Sequence, residues 1–123
     1  MRYLTDRKRA VGKGSAHAGT EHHWYMQASG VGLAVLVPIA VIAFGRAFGG
    51  GHEAVLAFFA RPFVAIVSGL TLFVAMRHFA RGATMMIEDY ARGTTRKGLI
   101  IAALSLSYAV TATGLFALAR IAL

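Results

Sequence analysis

Residues 24–45 read WYMQASGVGLAVLVPIAVIAFG and residues 98–119 read GLIIAALSLSYAVTATGLFALA, two runs of 22 residues without Asp, Glu, Lys or Arg. A helix needs about 20 apolar residues to cross a hydrocarbon core about 30 Å thick, so each run is long enough by itself. A third uncharged run, Pro62–Met76, is 15 residues long between Arg61 and Arg77. It spans if those arginines lay their alkyl stems along the apolar zone and keep their charged heads at its edges, or if neighbouring protein encloses the helix. The expectation is an all-α integral membrane protein with three transmembrane helices, at about 24–46, 62–89 and 98–120.

Composition agrees. Of 123 residues, 57% are hydrophobic and 15% charged, against about 25% charged in soluble domains. A soluble domain of this size needs more polar surface than that, which argues against a water-soluble enzyme. The length fits one domain. There is no cysteine, so the chain supplies no thiolate to an iron–sulfur cluster or zinc site and carries no disulfide.

Residues 1–23 form a polar lead-in with Gly12, Gly14, Ser15 and Gly19 and no apolar periodicity, read as a basic cytoplasmic arm preceding a membrane unit at 24–123. A cleaved signal peptide has an apolar core of about 7–15 residues, so a 22-residue run behind this arm reads as an uncleaved helix. The arm carries Arg2, Arg7, Lys8, Arg9 and Lys13, and the region after the second span carries Arg77, Arg81, Arg92, Arg96 and Lys97. The other ends hold only Arg46, Arg61 and Arg120, a ratio of ten to three. Basic residues stay on the cytoplasmic side, which predicts an N-in/C-out, multi-pass topology. The net charge of +8 is then a topology signal and an attraction to anionic membrane lipid, with no need for nucleic acid.

Small residues recur in each span, among them Gly30 and Gly32, Ser68 and Gly69, Ala103 and Ser107. They let helix backbones, or a flat ligand, approach closely. Three helices enclose little volume, so packing against a partner subunit is expected. Pro38 is expected to bend the first span. Trp24 and Tyr25 read as interfacial anchors, His17 and His52 as solvated loop histidines, and Tyr108 as a packing residue.

The chemistry gathers at the end of the second span, in Met76-Arg77-His78-Phe79-Ala80-Arg81-Gly82-Ala83-Thr84-Met85-Met86-Ile87-Glu88-Asp89-Tyr90. His78, Gly82, Met85 and Asp89 fall at helical offsets that return to within about 20° of the start over about 16 Å of axis. An imidazole in a bundle binds iron through one ring nitrogen when the other is hydrogen-bonded. Gly82, one turn on, removes the side chain that would strike a planar macrocycle. Arg77, Arg81, His22 and His23 could neutralise carboxylates on such a ligand. The alternative is an interfacial histidine bonded to a neighbouring helix. Asp89 and Tyr90 are equally open: a helix-ending turn with tyrosine at headgroup level, or the mouth of a lipophilic-substrate site. There a phenol can bond a carbonyl and a carboxylate can help deliver protons.

The pattern His78-x3-Gly82-x6-Asp89-Tyr90, closing the second of three spans behind a basic arm, resembles the small cytochrome-b-type hydrophobic membrane anchor of succinate dehydrogenase (respiratory complex II), the subunit lettered D. The resemblance implies a non-catalytic subunit in the bacterial inner membrane, or an equivalent energy-transducing membrane. It would be packed with a sister cytochrome-b anchor subunit and hold the flavoprotein and iron–sulfur subunits to the surface. It implies that His78 is one axial ligand of haem b, the second coming from the sister subunit, and that Asp89 and Tyr90 border the ubiquinone site. One departure stands out: where family members often read Arg-Ala-Thr early in the first span, this chain reads Gln27-Ala28-Ser29. Arg77, Arg81, His22 or His23 would then have to supply the missing charge. A quinol–fumarate reductase anchor and a non-redox assembly or transport component are the alternatives.

Overall fold

The computed structural model describes residues 3–12 and 19–123, so Arg2, Lys13, Gly14, Ser15 and His17 of the arm lie outside the described residues. Among the described residues five helices follow one another: α1 (Asp6–Val11), α2 (Gly19–Ala47), α3 (Gly51–Phe59), α4 (Pro62–Tyr90) and α5 (Gly93–Ala122). Three of them, α2, α4 and α5, are long and apolar enough to cross a membrane, as expected.

Each long helix overruns its uncharged segment. At 29 residues, α2 and α4 are each about 44 Å long, more than the hydrocarbon core requires. Gly19–His23, read as part of the arm, is the first turn of α2, and Gly93–Lys97 opens α5. No helix breaker separates these polar residues from the spans, so the backbone ladder continues through them. Likewise α2 runs on through Pro38. Between α4 and α5 only Ala91 and Arg92 are extended, and Gly93 takes φ 62°, a left-handed value that favours glycine at so tight a reversal.

Two short helices were not anticipated. In the arm, Thr5 caps α1 by accepting the Lys8 N–H at 3.2 Å, Asp6 lies in the first turn, and Gly12 ends the helix at φ 58°. In the first loop, α3 tucks Phe59 under the bundle against Phe44, ring centroids 5.0 Å apart, and Phe58 meets Phe59 edge-on at 5.6 Å. Arg61 then covers Phe58 at 5.4 Å, and Pro62 opens α4 from a position that needs no N–H partner.

The three long helices form a row. Helix α4 packs against α2 on one side and α5 on the other, and α2 and α5 do not approach one another. A row encloses no core: among the described residues only Ala47, Phe59 and Ala80 are buried apolar positions. Large apolar side chains along α2, α4 and α5, such as Val31, Ile66 and Phe116, stay exposed. That surface is suited to lipid or to other membrane subunits and unsuited to water.

Candidate functional site

His78 lies on α4 where that helix meets α2. Its Nδ1 is 2.8 Å from Ser29 Oγ, and the ring packs on Gly30, where an added Cβ would stand 3.8 Å from His78 Cε1. Ser29 also bonds its own helix, Oγ lying 2.7 Å from the Tyr25 carbonyl oxygen and 3.3 Å from that of Met26. His78 Nε2 has no hydrogen-bond partner among the described residues. The only buried, unpartnered side-chain nitrogen or oxygen among them is His22 Nε2, so His78 Nε2 reaches the surface of the row.

Gly82, one turn toward the C-terminal end of α4, faces Met26 of α2. A Cβ there would lie 3.6 Å from Met26 Cε, an ordinary contact. Packing between α2 and α4 therefore does not itself demand glycine at this position.

Around the helix by about 100°, a cleft of about 390 Å³ opens between α2 and α5 with α4 as its floor. Arg77, Arg81, Thr84 and Glu88 line it from α4, His22 from α2 and Tyr108 from α5. The guanidinium carbons of Arg77 and Arg81 stand 6.0 Å and 5.5 Å from the centre of the Tyr25 ring, close enough for cation–π attraction to hold both side chains over it. Two arginines and His22, set against the single carboxylate of Glu88, leave this cleft net positive and make a setting for an anionic group. His23, the next residue of α2, is exposed and does not join them.

Asp89 and Tyr90 end α4 in the open. Tyr90 is 87% exposed and Asp89 is exposed as well, so within this chain neither is part of an enclosed pocket. The structure thus brings together His22, Arg77 and Arg81 in one cleft, sets His78 and Gly82 beside it against α2, and leaves His23, Asp89 and Tyr90 outward.

Three residues of the site were read otherwise or left without a role in the sequence. Tyr25 is a platform for two arginines, Tyr108 walls the cleft, and Ser29 holds the histidine. A signal was present: His22, Tyr25, Met26 and Ser29 recur at the three- and four-residue spacing of a single helix face.

One imidazole with a ring nitrogen free of protein partners among the described residues, and two nearby arginines, are compatible with a haem held by a histidine of this chain. Among the described residues no three or more His, Asp or Glu side chains gather to cage a metal ion. A haem asks instead for one imidazole nitrogen, space beside it and cations for its carboxylates.

The profile of the family described as Succinate dehydrogenase/Fumarate reductase transmembrane subunit matches residues 1–118. The succinate dehydrogenase hydrophobic membrane anchor subunit of Paracoccus denitrificans is 49% identical over 123 residues, which is 100% of this chain and 95% of that protein. No solved structure matches the chain.

Proposed function

Because this chain belongs to the succinate dehydrogenase/fumarate reductase transmembrane subunit family, we propose that it anchors a succinate dehydrogenase to the bacterial cytoplasmic membrane, supplies one axial ligand to haem b and borders the ubiquinone-reduction site. The chain is non-catalytic alone. A flavoprotein subunit and an iron–sulfur subunit would sit on the side where the basic residues gather, and a sister anchor would cover the exposed faces of the row. Family membership sets the non-redox assembly or transport alternative aside. The name of the 49% identical relative favours succinate dehydrogenase over quinol–fumarate reductase.

The observation that carries this reading is His78, whose Nδ1 is engaged by Ser29 while Nε2 has no partner among the described residues. Haem b, when bound, supplies reversible one-electron storage within the membrane. The residues of this chain position and neutralise. His78 would offer the Nε2 lone pair, Gly82, one turn on, would add no side chain of its own at the flank of the ring, and Arg77 and Arg81, held over Tyr25, would offset carboxylate charge with His22. At the end of α4 the Tyr90 hydroxyl would donate a hydrogen bond to a carbonyl of ubiquinone, and the Asp89 carboxylate would hold a proton close to the reduced oxygen. Both side chains are exposed in this chain, as residues must be if a pocket closes over them only in the assembled complex.

The test is the reduced-minus-oxidised spectrum of the purified complex with His78→Leu. The haem-b bands should be lost or shifted while the other subunits still co-purify. An unchanged spectrum would remove the ligand assignment.

A further inference from the structure

The hydrogen bond between Ser29 and His78 carries more than helix packing. A serine hydroxyl has one proton and two lone pairs, and a backbone carbonyl can only accept. The 2.7 Å contact to the Tyr25 carbonyl therefore takes the Ser29 proton, the usual back-bond of a serine inside a helix. At 2.8 Å from the same oxygen, His78 Nδ1 must then be the donor. A neutral imidazole protonated at Nδ1 has its free lone pair at Nε2, the nitrogen that reaches the surface of the row.

From this we infer that Ser29 is a positioning residue for His78: by accepting the Nδ1 proton it selects the tautomer, fixes the ring rotation and presents Nε2 to a metal. The inference rests on the haem reading of His78 above. Turning the ring over would replace N–H by a C–H at Ser29 Oγ, and Ser29 is itself buried, at 9% exposure. Gly30 packs beside the ring, where an added Cβ would stand in ordinary contact at 3.8 Å from His78 Cε1. An acceptor on Nδ1 also makes Nε2 the stronger donor, which favours the oxidised metal. The residue that does this is the last of Gln27-Ala28-Ser29, the stretch where the chain lacks an arginine. Ser29 brings no charge, and its part is orientation.

The experiment uses the intact complex in mild detergent with Ser29→Ala, Ser29→Thr and Ser29→Cys. Loss of an outer partner of a metal-bound histidine weakens metal binding about 10–100-fold. Ser29→Ala should therefore shed haem b about that much more readily on dilution, and the midpoint potential of the haem that remains should move in the positive direction. Ser29→Thr, which keeps the hydroxyl, should restore both, and Ser29→Cys, a side chain of similar shape but weak acceptor strength, should fall between. A role in helix packing alone predicts less assembled complex but an unchanged potential in what does assemble. That result, with His78→Leu losing haem, would overturn the inference and leave the haem reading standing. If His78→Leu retains its haem, the haem reading falls and the positioning role falls with it.

Discussion

Replacing Gly82 separates a demand of helix packing from a demand of a ligand. The nearest atom to a Cβ at this position is Met26 Cε at 3.6 Å, so Gly82→Ala introduces no clash between α2 and α4. Within a helix, alanine is favoured over glycine by about 0.8–1 kcal/mol, so the isolated fold should tolerate or gain from the change. A ligand beside His78 reverses the expectation for larger side chains. Position 82 is one turn, about 6 Å along the axis, from His78 and within about 40° of its direction. A leucine there would displace Met26 or extend toward the imidazole. The assay is haem-b absorbance per assembled complex across Gly82→Ala, Gly82→Val and Gly82→Leu, with the co-purifying subunits quantified in the same samples. Haem content per assembled complex should fall stepwise with side-chain size, and more steeply than the yield of assembled complex. If Gly82→Ala already lowers assembly, the glycine serves packing. If Gly82→Leu keeps a full complement of haem, no macrocycle passes this position. Either outcome refutes the reasoning.

Tyr90→Phe removes one hydroxyl and should lower quinone reduction roughly 2–10-fold, the worth of a single hydrogen bond, while succinate oxidation with an artificial acceptor is kept; equal loss of both would argue against a quinone contact. The α4–α5 seam should weaken in Ser107→Ala, which loses its 2.8 Å bond to the Met76 carbonyl, by about 0.6 kcal/mol and at most about 1.7 kcal/mol. Gly114→Leu should cost about 1–3 kcal/mol through overpacking, because even a Cβ at Gly114 would overlap Leu72 Cδ2; thermal unfolding of the complex measures both, and a midpoint unchanged in both variants counts against the seam as drawn. Since the chain has no cysteine, single-cysteine labelling gives the topology cleanly. A membrane-impermeant maleimide should reach Glu53→Cys from outside intact cells and Thr95→Cys only after lysis; the reverse pattern would invert the N-in/C-out assignment.

The spans were legible because their signal is one of length and charge exclusion, which lipid enforces whatever the neighbours are. Their ends were less so: Gly19–His23 and Gly93–Lys97 are polar, and nothing in hydropathy says that a helix continues past the membrane until a breaker stops it. Helix α3 escaped because nine residues are too few for a span, and its apolar Phe58 and Phe59 take their meaning only from contact with Phe44 and Arg61. Within the site, periodicity put His78 and Gly82 on a common face, and both meet α2. The grouping of His22, Arg77 and Arg81 was legible from chemistry, whereas His23 beside His22 was assigned by proximity and lies outward. Ser29 could not be found from α4 alone, since it is 49 residues from His78 in the chain.

The distribution of buried polar groups bears on the site proposed at His78. Among the described residues, the two buried polar side chains are Ser29 and Ser107, at 9% and 3% exposure. Each bonds α4 from an opposite neighbour: Ser107 donates to the Met76 carbonyl and Ser29 is hydrogen-bonded to His78 Nδ1. Both bonds fall within three residues of α4, so α2 and α5 are pinned to the same turn. Inside a membrane the hydrophobic effect does not drive helices together, and hydrogen bonds with close packing must hold them. A row without a core has few such restraints, and this one concentrates them at His78. On the proposed haem reading, the turn that presents the imidazole is therefore also the turn that fixes the helices to one another. Outward from it, at Tyr90 and along the exposed apolar faces, the chain is open to be completed by its partners.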